Sequence, residues 1–161
     1  MEFNFRGKKA LVTGGGSGLG RECAILFAKN GADVLVADLI PERCEEVATE
    51  IRKYGVEAIS YQVDVTDYEQ VASMYKKIID EWGTVDIVVN SAGVCLTGEL
   101  TEESLENIDK TIDINIKGTI YSCREALNIM RANKYGKIVN MSSIAAKACS
   151  AGFSVYSCTK S

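Results

Sequence analysis

The chain has no histidine. That absence removes Ser-His-Asp catalysis and every histidine-based metal site, and no metal site is expected. Proton transfer must then come from Tyr, Lys, Ser, Asp, Glu or Cys. Proline is nearly absent too. Pro41 is the only one, so no proline-rich linker divides the 161 residues, a length that suits one domain, residues 1–161. No apolar run approaches the ~18 residues of a membrane span, and Met1 to Arg6 lack the apolar core of a signal peptide. The charges are scattered, with a net of −4. They leave no basic stripe for nucleic acid and no polybasic membrane patch. The cysteines, Cys23, Cys44, Cys95, Cys123, Cys149 and Cys158, are dispersed without a Cys-x-x-Cys pair. They read as reduced packing thiols of a cytoplasmic protein.

Glycine, by contrast, is concentrated in one place. Thr13 to Gly20 reads Thr-Gly-Gly-Gly-Ser-Gly-Leu-Gly. The apolar run Ala10-Leu11-Val12 leads into it, and Leu19, Cys23, Leu26 and Phe27 follow at helical spacing. Glycines between a buried strand and a helix let the backbone turn sharply and come close to a ligand. The helix then aims its free N–H groups and positive dipole end into the turn. This arrangement suits a diphosphate.

The rest of the chain alternates strand and helix. Strands are expected at Lys9 to Val12, Asp33 to Ala37, Ala58 to Val63, Val85 to Val89 and Lys137 to Met141. Helices are expected from Gly18 to Asn30, from Pro41 with a face of Cys44, Val47, Ala48 and Ile51, and from a cap at Asp67. A long helix from about Glu102 to Ala132 and another from about Phe153 complete the set. Five such alternations predict an α/β fold, a doubly wound Rossmann-type parallel sheet with helices on both faces.

In such a sheet ligands bind beyond the C-terminal strand ends. Asp38 ends strand two, 18 residues after Gly20, where a carboxylate can accept from both hydroxyls of an adenosine ribose. In the sequence no arginine or lysine stands beside it, which favours NAD(H) over NADP(H). Asp64, followed by Val65, could meet an adenine amino group or simply organise the next turn. Asn90-Ser91-Ala92-Gly93 follows strand four. Its small residues leave room for a ribose, and Asn90 could equally brace adjacent strands. Beyond strand five come Ser142-Ser143, then Tyr156 and Lys160 at i and i+4 on one helix face. An ammonium beside a phenol favours the phenolate, and a nearby serine could polarise a carbonyl oxygen.

With these motifs in order, the chain resembles the short-chain dehydrogenase/reductase family in its single-domain form. Thr13-Gly14-x-x-x-Gly18-x-Gly20 matches the family's glycine spacing. Asn90-Ser91-Ala92-Gly93 resembles its Asn-Asn-Ala-Gly motif with one serine exchanged, and Asn115, Ser143, Tyr156 and Lys160 match its catalytic tetrad. The resemblance implies strand order 3-2-1-4-5 and hydride transfer between nicotinamide and a secondary alcohol or ketone. It implies Tyr156 as acid/base and Ser143 as orienter of the substrate oxygen. Lys160 would tune Tyr156 and hold the nicotinamide ribose, and the Asn115 backbone carbonyl would hold a water that links Lys160 to solvent. NAD(H) would lie against Gly14, Ser17, Gly18, Leu19, Gly20, Asp38, Asp64, Val65, Asn90, Ala92, Gly93, Tyr156 and Lys160. The complete enzyme would be a homo-oligomer, a dimer or tetramer. The family pattern continues past this helix with two strands, a further helix and a substrate-covering loop, so the chain reads as C-terminally incomplete. An inert dinucleotide-binding module is the alternative, and a 3-oxoacyl thioester reductase the alternative among enzymes. Val94 to Leu100 and Ile144 to Phe153 are expected to line the substrate pocket.

Overall fold

Ala10, Leu11, Val12, Val34, Leu35 and Val36 are all buried, as continuous apolar runs are when a parallel sheet is covered on both faces. The computed structural model describes residues 3–148 and 150–161. Met1, Glu2 and Cys149 lie outside the described residues. Strands β1 (Lys9–Thr13), β2 (Asp33–Asp38), β3 (Ala58–Gln62), β4 (Ile87–Asn90) and β5 (Lys137–Asn140) form one parallel sheet in the order β3-β2-β1-β4-β5. Leu11 stands opposite Leu35 on one side and Val88 on the other, which fixes the register of the three central strands.

Successive side chains of a strand face opposite ways, so β1 feeds two cores. Ala10 and Val12 pack with α1 (Gly18–Lys29) and α2 (Pro41–Arg52), through residues such as Ile25, Val47 and Ile51. Leu11 faces α3 (Tyr68–Trp82) and α5 (Thr119–Asn133), through Met74, Ile78, Ala126 and Met130. Tyr75 is buried between these two helices, with its hydroxyl 2.8 Å from Ser122 Oγ. Asp67 caps α3 by accepting from the N–H groups of Glu69 and Gln70, and left-handed Gly83 ends it.

Two elements differ from the sequence expectation. The buried face of α1 is Gly20, Ala24, Ile25 and Ala28, while Leu19 is 68% exposed and Leu26 also faces out. Small residues let this helix sit close to the sheet, and Phe27 moves to the margin, edge-on to Phe5. The long helix begins later, at Leu105 of α4 (Leu105–Ile112), because Ser104 caps it by accepting from Asn107 N–H at 3.1 Å. Its middle, Asp113–Gly118, is a π-helix that leads directly into α5. A short 3-10 turn (Ile144–Ala146) and α6 (Ser154–Lys160) complete the described elements. Among the described residues no helix is long and apolar enough to cross a membrane.

Candidate active site

All five strands point the same way, so their C-terminal ends open onto one rim. A cavity of about 520 Å³ lies there. Of the residues singled out in the sequence, Gly14, Ser17, Gly18, Leu19, Asp38, Asp64, Val65, Ala92, Gly93, Tyr156 and Lys160 line it. Gly20, Asn90, Asn115 and Ser143 lie outside that lining.

The glycine turn is built by close approach. Gly14 has φ +63°, and a Cβ there would sit 2.7 Å from both Cα and N of Ala92. At Gly20 a Cβ would fall on the carbonyl oxygen of Gly14. The turn is therefore pinned between α1 and the loop after β4. Ser17 stands at the N-cap of α1 without a side-chain capping bond, so no side chain claims the first-turn N–H groups. Such a helix start is suited to an anion, and the cradle fits a dinucleotide diphosphate.

Farther along the rim, Asp38 Oδ2 accepts from Gly16 N–H at 3.1 Å and Oδ1 from Ile40 N–H at 3.2 Å. Each carboxylate oxygen keeps a further lone pair for a ligand. Arg43 corrects the expectation that no cation stands beside Asp38. It lies in the first turn of α2 and lines the same cavity. A Cβ on Gly16 would be 2.8 Å from Arg43 Cβ and 2.9 Å from Asp38 Oδ2. Among the described residues Arg43 forms no ion pair. The sequence separation of five hid it, because β2 ends in a turn that folds α2 back over Asp38. Asp64 organises the turn into α3, with Oδ1 accepting from Thr66 N–H at 2.9 Å and Thr66 Oγ1 at 2.7 Å. Behind Asp38, Cys44 donates to the Tyr61 carbonyl at 3.4 Å. Burial, helped by the Asp38 charge, pushes its thiol up to about 11.

At the other end of the cavity Asn90 acts as a brace. Its Nδ2 donates to Asn140 Oδ1 at 2.8 Å and to Cys123 Sγ at 3.3 Å. Asn115 is 4% exposed and sits in the π-segment, not on a helix surface. Its Oδ1 accepts from Val94 N–H at 2.8 Å, and its Nδ2 donates to Val94 O at 2.9 Å and to Thr159 Oγ1 at 3.0 Å. Its backbone carbonyl accepts from Thr119 Oγ1 at 2.9 Å. Lys160 Nζ donates to Met141 O at 3.2 Å, and partial burial lowers its ammonium from the ordinary lysine value. A Cβ on Gly93 would lie 3.1 Å from Asn115 Oδ1 and 3.2 Å from Lys160 Nζ, so Gly93 is where both groups converge. Ser143 caps the 3-10 turn, accepting from Ala145 N–H at 3.2 Å, while Ser142 faces the cavity. Val94 and Cys95 line the cavity, and Gly98 N–H donates to Gly152 O at 3.0 Å, which joins the two loops expected around a substrate. Among the described residues no three His, Cys, Asp or Glu side chains gather as a metal site.

A family model described as short chain dehydrogenase matches residues 8–161. An uncharacterized oxidoreductase of Thermotoga maritima is 39% identical over 142 residues, covering 88% of this chain and 55% of that protein. One from Staphylococcus aureus strain USA300 is 36% identical over 153 residues, covering 95% and 65%. Among solved structures, NAD+-bound xylitol dehydrogenase superposes with a TM-score of 0.95 at 28% identity, covering 98% of this chain and 61% of that one. A short-chain type dehydrogenase/reductase from Mycobacterium ulcerans gives 0.94 at 29%, covering 98% and 59%. The chain thus spans 55% to 65% of the length of these relatives.

Proposed function

The chain belongs to the short-chain dehydrogenase family, and from that premise we propose that it is the cofactor-binding and acid/base portion of an NAD(H)-dependent oxidoreductase acting on a secondary alcohol or ketone. The observation that carries this reading is that Gly14, Asp38, Gly93, Tyr156 and Lys160 all line one cavity. Gly14, Ser17 and the start of α1 would hold the diphosphate, Asp38 the adenosine ribose, and Gly93 with Lys160 the nicotinamide ribose. When bound, the nicotinamide supplies or accepts the hydride.

The chain's own residues handle the proton. The Tyr156 hydroxyl gives a proton to the substrate oxygen in reduction and takes it in oxidation. Lys160, one helical turn on, places a positive charge on the same face, and its bond to Met141 O holds that charge in position. Asn115 spends its side chain on Val94 and Thr159, so it supports the site by fixing the β4 loop against α6. Its carbonyl would hold a water that reaches Lys160. Ser143, just outside the cavity lining, accepts from Ala145 N–H through its hydroxyl oxygen and keeps its own proton, with which it would orient the substrate oxygen.

Among substrate classes, the likeness to NAD+-bound xylitol dehydrogenase puts polyols and ketoses first, ahead of hydroxysteroids and 3-oxoacyl thioesters. The test mixes the protein with NADH and a panel of ketones from these three classes. NADH oxidation with at least one is expected. Tyr156→Phe should abolish turnover while NADH binding, read by fluorescence, stays within about twofold of the parent, since only the hydroxyl is lost. Near-normal turnover of that variant would overturn the acid/base assignment. Cofactor binding without turnover of any ketone would favour a dinucleotide-binding module.

A further inference from the structure

Thr159 lies between the two residues assigned to proton transfer, and that assignment gives it no role. Its hydroxyl is nonetheless the meeting point of two elements. The direction of each bond around it is fixed by elimination. A backbone N–H can only donate, so the Val94 N–H at 2.8 Å identifies the Asn115 oxygen as Oδ1. The two protons of Asn115 Nδ2 then go to Val94 O and Thr159 Oγ1, at 2.9 and 3.0 Å. The single proton of the Thr159 hydroxyl goes to the Tyr156 carbonyl at 2.8 Å. The result is a polar chain of one sense, from the buried π-segment through Thr159 to the backbone of Tyr156.

We propose that Thr159 is a positioning residue of this site, its hydroxyl locking the helix that bears Tyr156 and Lys160 to the buried Asn115. The proposal rests on the reading of Tyr156 and Lys160 given above. No side chain caps the start of α6, and its polar ties to neighbouring elements lie at its other end. The other polar ties at its end are Ser142 Oγ to Lys160 O at 2.7 Å and Lys160 Nζ to Met141 O at 3.2 Å. Thr159 and Lys160 are adjacent, so slackening one moves the other. Asn115 Oδ1 and Lys160 Nζ already converge on Gly93, leaving no slack for a shifted helix to occupy unnoticed. A β-branched residue adds to the effect, since its χ1 is stiff and keeps the hydroxyl aimed.

The test compares Thr159→Val, which exchanges the hydroxyl for a methyl at constant shape, with Thr159→Ser, which keeps the hydroxyl. Turnover is followed with NADH and the ketone reduced fastest in the panel, across pH. Exchange of the Asn115 side-chain amide protons is followed by NMR in the cofactor-free protein. Thr159→Val is expected to lower kcat by about tenfold, to leave the KM for NADH within about twofold, to displace the pH–rate profile and to speed Asn115 amide exchange. Thr159→Ser is expected to match the parent in all four. A Val variant with parental pH profile and parental Asn115 exchange would overturn the proposal, even if it melted earlier. A Ser variant impaired relative to the parent would overturn it too, by showing that methyl packing carries the effect; this arm holds even if the Val variant fails to fold. Tyr156→Phe in the same assay keeps the premise separate: turnover surviving there sinks the acid/base reading, while the Asn115 exchange still judges the Thr159 link.

Discussion

At the scale of single residues the end of the cavity proposed for adenosine holds opposite charges on neighbouring positions. Asp38 favours a free ribose diol, and Arg43, without an ion-pair partner among the described residues, is free to meet a 2′-phosphate. On the proposed reading Asp38 prevails in the parent, because it would both bond the diol and repel the phosphate. Losing a charge-assisted hydrogen bond costs on the order of 1.5–3 kcal/mol, so Asp38→Ala should weaken NAD(H) by about tenfold or more and strengthen NADP(H). Adding Arg43→Ala to that variant should cancel the NADP(H) gain. Calorimetric dissociation constants at one ionic strength decide it, since exposed charges are screened by salt. Equal affinity of the parent for both cofactors would remove Asp38 from the ribose. Asp38 itself was legible from its distance to the glycine turn. Arg43 was not, because only the fold back of α2 brings it to the rim. Thr159 stood in plain view inside the Tyr-x-x-x-Lys spacing, but nothing in a sequence tells a hydroxyl which helix it will reach.

At the scale of elements, alternation of apolar strands with helices carried the fold, and the glycine turn fixed which end of the sheet to inspect. The helix faces were read less well. In α1 a stripe of large residues looked like the buried face, yet the sheet accepts Gly20, Ala24 and Ala28 more closely. The π-segment is invisible to periodicity. Buried Thr111, Asn115, Gly118, Ser122, Ala126 and Met130 step by 4, 3, 4, 4 and 4, a spacing that an ordinary helix also shows. Gly118 permits the segment to press on Val65, whose Cγ2 would lie 2.7 Å from an added Cβ. The Tyr75–Ser122 bond at 2.8 Å ties α3 to α5 inside their shared apolar contact. Tyr75→Phe leaves the buried Ser122 hydroxyl without that partner, so it should lower stability by about 1–3 kcal/mol. A urea titration reads this as a lower midpoint at unchanged slope.

At the scale of the whole molecule the cysteines differ in how far the fold isolates them from water. Cys95 and Cys158 are exposed and Cys44 is buried. Cys44, pushed up to about 11 by burial and then by Asp38, holds almost no thiolate at pH 8, whereas an unfolded cysteine ionises near ~8.5. Iodoacetamide at pH 8 should therefore label Cys95 and Cys158 promptly and reach Cys44 only on unfolding, as peptide mass mapping would show. Labelling of native Cys44 at the rate of Cys95 would contradict this burial. The sign for stability follows: above about pH 8.5 the unfolded chain sheds a proton that the native one keeps, so this thiol makes the fold less stable as pH rises towards 11. The cavity has a further consequence, one for heredity. Its shape depends on atoms that Gly14, Gly20 and Gly93 do not have. Every amino-acid change open to a glycine codon adds atoms, and none can take them away. Variation at these three positions can only crowd the site, so the lineage of such a chain can explore new substrates through its large residues while these positions stay closed to drift.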